Sequence, residues 1–151
     1  MRIIRKRIVT SRMSFSAETE LILVSDDNLG LHWPHIASWV IEALQRSSNR
    51  YNVADIYNAL ATSKMVAFAI YKDGKIVAVC VAEIAEFPSC KSLSIVIMVG
   101  KDREEWLHHL TEIEEFGRKQ NCEIIEAWAR PGWERVLPDW KKTHVLLEKK
   151  L

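Results

Sequence analysis

The chain has 151 residues, 48% of them hydrophobic and 27% charged, with a formal net charge of +1. That length suits one compact domain with a sizeable core, and the composition excludes a disordered chain. The near-zero charge asks for neither nucleic acid nor an anionic membrane as partner, and no apolar run approaches the ~20 residues of a membrane-spanning helix.

Residues 1–17 read as a basic N-terminal tail, carrying Arg2, Arg5, Lys6, Arg7 and Arg12, ahead of one domain over residues 18–151. No long apolar core or small-residue cleavage site follows, so the segment does not read as a secretory signal. A solvated tail, a phosphate-contacting arm and translated sequence ahead of a start at Met13 are all open readings. Nucleic acid has no other foothold in the chain.

Glu20–Val24 is a short strand closed by the turn-forming Ser25-Asp26-Asp27-Asn28. His32–Arg46 follows as a helix, with Pro34 tolerated in its first turn and Trp33, Ile36, Val40, Ile41 and Leu44 on one face. Asn52 caps a second helix, Val53–Ser63. MVAFAIYK and KIVAVCVAEI then flank Asp73-Gly74, the pair that favours a type I′ hairpin turn. Both arms are almost wholly apolar, which predicts central strands covered on both faces.

The strand Leu93–Val99 has the same buried character, and Gly100 ends it. The charged turn KDREE leads into a long helix whose Trp106, Leu107, Leu110, Ile113 and Phe116 share one face. Another strand spans Glu123–Ala129, and Arg130-Pro131-Gly132 breaks it. A short helix at Trp133–Leu137 and a last strand at Thr143–Glu148 close the chain. The sum is an α/β fold: a single-domain mixed β-sheet flanked by helices, antiparallel at the hairpin and parallel around residues 93–129.

The cysteines Cys80, Cys90 and Cys122 lack CxxC spacing and lie in or beside structured segments, which implies reduced thiols and a cytoplasmic protein. Adjacent His108 and His109 point about 100° apart on a helix, and His32 with His35 has no completing ligand, so no metal site is expected. Neither a G-x-S-x-G elbow nor a P-loop is present. The six tryptophans are unusual; Trp128, Trp133 and Trp140 gather near the end of the chain, as core or as a ligand or partner surface.

The hairpin KDGKIVAVCVAEI, the strand-to-helix stretch LSIVIMVG…EEWLHHLTEIEEFGRKQNC and the ending EIIEAWARPGWERVLPDWKKTHVLLEKK carry a family resemblance. Together, over roughly residues 18 to 150, they resemble the GNAT N-acetyltransferase superfamily, and within it small proteins encoded by tailed bacteriophages. The resemblance implies acyl-CoA-dependent N-acyl transfer, with acetyl-CoA as cofactor held in a gap between the fourth and fifth strands. It implies that Ile97, Met98 and Val99 pair with pantetheine, and that Gly100, Lys101 and Arg103 hold the pyrophosphate. The acceptor would be an amine on a small molecule or a protein. Glu83 or Glu86, at the end of the second hairpin strand, would deprotonate it, since a carboxylate beside apolar surroundings suits a general base.

Two departures stand out. The loop after Gly100 keeps one glycine where the family uses two small residues, and it places Asp102, Glu104 and Glu105 where a pyrophosphate would lie. The tyrosine that serves the family as general acid on the last short helix has no counterpart, for Trp133 and Trp140 stand there. These departures give weight to the alternative, a catalytically inactive GNAT-like phage protein with a structural or protein-binding role and so a protein partner.

Overall fold

The computed structural model describes residues 18–47 and 50–151. The basic tail over residues 1–17 lies outside the described residues. Five strands form one sheet in the order β1-β2-β3-β4-β5: β1 (Thr19–Val24), β2 (Met65–Lys72), β3 (Lys75–Glu86), β4 (Lys91–Gly100) and β5 (Ile124–Ala127). The first four are antiparallel neighbours, and β5 runs parallel to β4. Helices α1 (Leu29–Gln45) and α2 (Val53–Ala61) cover one face, and α3 (Leu110–Lys119) covers the other.

The hairpin forms as its sequence dictates. Asp73 and Gly74 both take positive φ, 51° and 76°, the backbone that a type I′ turn requires. Along β2 the alternation feeds two cores. Met65, Ala67 and Ala69 meet Ile36, Val40, Ile56 and Leu60 of the first helix pair, while Val66, Phe68 and Ile70 meet Leu110 and Ile113 of α3. A strand with apolar groups on both faces has no polar edge to show, hence the unbroken run MVAFAI.

Helix α2 starts with a reciprocal capping box: the Asp55 amide donates to Asn52 Oδ1 and the Asn52 amide donates to Asp55 Oδ2, both at 2.9 Å. Helix α1 begins a turn earlier than its apolar spacing predicts, at Leu29, so Pro34 lies inside it. Asn28 braces that start, donating from Nδ2 to the Leu23 carbonyl at 2.9 Å and accepting the Ser25 amide at 2.9 Å.

Three expectations fail. The long helix is broken at its start into two 3-10 turns, Arg103–Glu105 and Leu107–His109, before α3 begins. Asp102 adopts a left-handed φ of 52°, and the Trp106 indole Nε1 donates to the Lys101 carbonyl at 2.8 Å, so the chain folds back on itself instead of winding on. The terminal strand Thr143–Glu148 is likewise absent from the described ladders; those residues are exposed and carry no regular secondary structure. The chain before them is anchored by Leu137, buried against the α3 core with Val136 and Trp140 packed beside it. Beyond, Glu148 reaches Arg50 at 3.3 Å. Trp133–Leu137 reduces to one 3-10 turn, Trp133–Arg135.

Candidate functional site

Strand β4 carries an irregularity that decides the site. Val81 of β3 faces Ile97, but its neighbour Ala82 faces Ile95, so Val96 is an extra residue, a β-bulge. The bulge reverses the alternation. Leu93 and Ile95 point into the α3 core, whereas Val96, Ile97 and Val99 lie on the α1/α2 side. The same bulge marks where β5 leaves. Parallel pairing covers Ser92–Ile95 against Ile124–Ala127 and goes no further. From Val96 to Gly100 the strand pairs with β3 on one edge, while its other edge has no ladder partner among the described residues.

The base of this gap is fixed by Ser92, 1% exposed, whose hydroxyl donates to Glu126 Oε1 at 2.8 Å across the two strands. The far end is fixed by Gly100. A Cβ there would stand 2.8 Å from the Val77 carbonyl oxygen, 2.8 Å from Ala78 Cβ and 2.9 Å from the Trp106 ring. Only glycine fits between β3 and this buried indole. The Lys101 amide donates to the Val77 carbonyl at 3.0 Å, which ties the turn to the sheet. Asp102 and Arg103 come next, and their amides precede the first hydrogen bond of the 3-10 turn, from the Glu105 amide to the Asp102 carbonyl at 2.8 Å. Amides in that position are the ones a turn leaves for an anion.

The acidic residues of the turn are partly answered. Lys72, at the end of β2, donates to both carboxylate oxygens of Glu105 at 2.9 Å. The hydrogen bond to the Glu105 carboxylate raises the pKa of the Lys72 ammonium, so Lys72 stays charged. Lys101 is exposed, and the Arg103 guanidinium sits 5.3 Å over the Trp133 ring, a cation–π contact from the C-terminal segment. Of the other aromatic groups, Phe116 packs edge-on to Phe68 under α3, and Trp128 is 69% exposed with Arg50 5.2 Å from its ring.

Six of the residues named from sequence are therefore brought together by continuity: Ile97, Met98, Val99, Gly100, Lys101 and Arg103 follow one another along the free edge and into the turn. The two carboxylates are placed differently. Glu83 pairs in register with Ser94, two residues before the bulge, on the alternation it shares with Val79 and Val81. Glu86 faces Lys91 at the far end of β4 and forms an ion pair with it at 3.7 Å. Both line a groove of about 500 Å³ with Lys64, Met65 and Ile84. Sequence reasoning missed Lys72 and the bracing role of Trp106. Lys72 lies 33 residues from Glu105, and no spacing rule links them.

A buried polar chain stands behind the turn. His109, wholly buried, bonds through Nε2 to the Thr19 hydroxyl at 2.7 Å and through Nδ1 to Glu112 at 3.1 Å. Burial pulls its pKa down to about 4. The ring is thus neutral, with Nδ1–H donating to Glu112 and Nε2 accepting from Thr19. Cys80 is also buried; the apolar surroundings push its thiol up to about 12, so it is an inert core group.

No family model matches the sequence, and no curated protein matches it by sequence. Solved structures do match. An aminoglycoside N-acetyltransferase in complex with CoA superposes with a TM-score of 0.69 at 12% identity, over 92% of this chain and 99% of that one. An aminoglycoside acetyltransferase from an uncultured soil metagenomic sample, in complex with trehalose, gives 0.65 at 14% identity, over 88% and 96%. A predicted acetyltransferase with acetyl-CoA from Clostridium acetobutylicum gives 0.63 at 13%, over 87% and 96%. At such identities the likeness speaks for the fold: this chain has the GNAT acyl-CoA N-acyltransferase fold, a mixed five-stranded sheet flanked by helices.

Proposed function

We propose that the protein is an acetyl-CoA-dependent N-acetyltransferase acting on an amine. The observation that carries this reading is the splay after Ile95: the bulge at Val96 leaves the Ile97–Gly100 edge unpaired, directly before a turn with available amides. That arrangement suits a ligand with an extended amide-bearing arm and an anionic end. The arm pairs with strand backbone, and the anion meets the Asp102 and Arg103 amides with the Lys101 and Arg103 side chains. Lys72 suits this role too, because by holding Glu105 it lowers the repulsion that a pyrophosphate would meet.

Acetyl-CoA supplies an acyl carbon activated as a thioester. A substrate amine that attacks it forms the amide bond as the carbon–sulfur bond breaks, and the amine must give up a proton. Glu83 is the group best placed to accept it, directly or through one water. Its register partner Ser94 stands about 7 Å along β4 from the bulge, by strand rise, whereas Lys91, the partner of Glu86, stands about 17 Å away. The ion pair with Lys91 also occupies Glu86. The groove that both carboxylates line would admit a small cationic amine. The tyrosine expected as general acid is replaced by Trp133, which holds Arg103 instead.

Isothermal titration with acetyl-CoA at moderate salt tests the cofactor site. Saturable micromolar binding, lost in Lys101→Glu with Arg103→Glu, is the expected result. Absence of heat at millimolar ligand would overturn the reading. Given binding, release of free thiol with a panel of small amines, abolished in Glu83→Gln while binding persists, tests the base.

A further inference from the structure

The groove beside Glu83 carries charges of both signs. Lys64 lines it just before β2, Glu83 and Glu86 along β3, and Lys91 at the start of β4. Glu86 and Lys91 answer each other at 3.7 Å, a pair with no bias for either sign of ligand. Lys64 and Glu83 are different. Among the described residues neither has an ion-pair partner, and no ion pair joins the two. Ser63 also lines the groove; its hydroxyl and that of Ser25 donate to the Asp26 carboxylate, the second at 2.9 Å.

The sheet sets these two charges in order. Met65 is the register partner of Glu83, and Glu83 is that of Ser94. Lys64, Glu83 and β4 therefore follow one another across three neighbouring strands, each spaced about 4.8 Å from the next. The bulge at Val96 lies two residues beyond Ser94. A purely cationic acceptor would meet Lys64 as a like charge, and a purely anionic one would meet Glu83. A small molecule with an ammonium and a carboxylate close together satisfies both, through charge-assisted hydrogen bonds.

Given the acetyl-transfer reading, on which this rests, we propose that the acceptor is a free amino acid bound as a zwitterion. Lys64 takes its carboxylate, Glu83 takes its amino group, and the nitrogen is turned toward β4 and the bulge. The free amine attacks the acyl carbon, and the carbon–nitrogen bond forms as the carbon–sulfur bond breaks. The proton shed by nitrogen passes to Glu83, and the departing thiolate takes up a proton in turn. The carboxylate is unchanged by the reaction and serves to orient the amine.

Nitrogen-15 NMR titration of the full chain with each of the common amino acids, without cofactor, tests the groove apart from the transfer reaction. At least one should bind saturably at or below about 10 mM, with shifts centred on Met65 and Glu83. Its carboxamide, which lacks the negative charge, should bind about tenfold more weakly. In Lys64→Met the preference for acid over amide should collapse to about one, and Lys64→Arg should restore it. A lysine with a merely structural role would weaken both ligands together and leave the ratio as it was. Lys64 is exposed, so neither variant disturbs the core. No binding by any amino acid, or an amide that binds as tightly as its acid, overturns the proposal whatever acetyl-CoA does. Thiol release from acetyl-CoA that is as fast with ethylamine as with the amino acids overturns it too, while acetyl transfer itself stands. Amino-acid binding at Lys64 and Glu83 without any binding of acetyl-CoA upholds the zwitterion site and overturns the transfer reading.

Discussion

Replacing Gly100 by alanine tests the bracing of the turn most directly. The added Cβ would stand 2.8 Å from the Val77 carbonyl oxygen and 2.9 Å from Trp106, distances at which something must move. The Val77 carbonyl is held by the Lys101 amide at 3.0 Å, and the indole by its bond to the Lys101 carbonyl at 2.8 Å, so neither neighbour retreats freely. Overpacking of this kind costs about 1–3 kcal/mol. Stiffening the unfolded chain returns about 0.4–1 kcal/mol. The net loss is therefore about 1–2 kcal/mol, read as an earlier midpoint in urea by roughly 0.5–1 M for a chain of this size. Gly30→Ala is the matched control: no atom lies within 4 Å of its Cβ and it stands in helix α1, so it should gain about 0.5–1 kcal/mol. If Gly100→Ala left the midpoint unchanged, the close approach of β3, the turn and Trp106 would be refuted, and with it the fixed geometry on which the proposed cofactor site rests.

Two other outcomes follow from the same framework. His109 is neutral in the folded state because burial holds its pKa near 4, while in the unfolded chain it titrates near 6.5. Between those values the unfolded state binds more protons, so stability falls as pH drops from about 6.5 to about 4, by about 3 kcal/mol in all. Urea titrations at pH 7 and pH 4.5 measure the loss, and His109→Asn should flatten it; an unchanged slope in that variant would assign the effect to other groups. Lys72→Met leaves Glu105 unanswered in the turn and should weaken acetyl-CoA on the order of fivefold, by Coulomb repulsion of the pyrophosphate, while the melting temperature barely moves. Equal affinities by calorimetry would mean that no pyrophosphate comes near Glu105.

Much of the fold was legible in the sequence because it is written in local patterns. Asp73-Gly74 between apolar runs determines the hairpin, since only that turn matches the strand twist. The 3.6-residue spacing of Ile36, Val40 and Leu44 determines α1, and Asn52 with Asp55 determines where α2 starts. The unbroken run Leu93–Val99 already required a strand covered on both sides. The candidate site was legible only as a place, a contiguous stretch from Ile97 to Arg103 at the end of that strand, and its role is a proposal.

What the tertiary structure alone decided is relational. A single extra residue at Val96 cannot be read from LSIVIMVG, because every side chain there is apolar and either face would accept it; the register against β3 settles it. Lys72 finds Glu105, and Thr19 finds His109 across 90 residues, because the sheet brings together ends that no spacing connects. Trp106 sits on one apolar stripe with Leu110 and Ile113 and so looked like ordinary helix, yet its indole hydrogen bond breaks that helix at the start. Thr143–Glu148 shows the converse. Its sequence prefers a strand, but a strand needs a ladder partner, and among the described residues the segment has none.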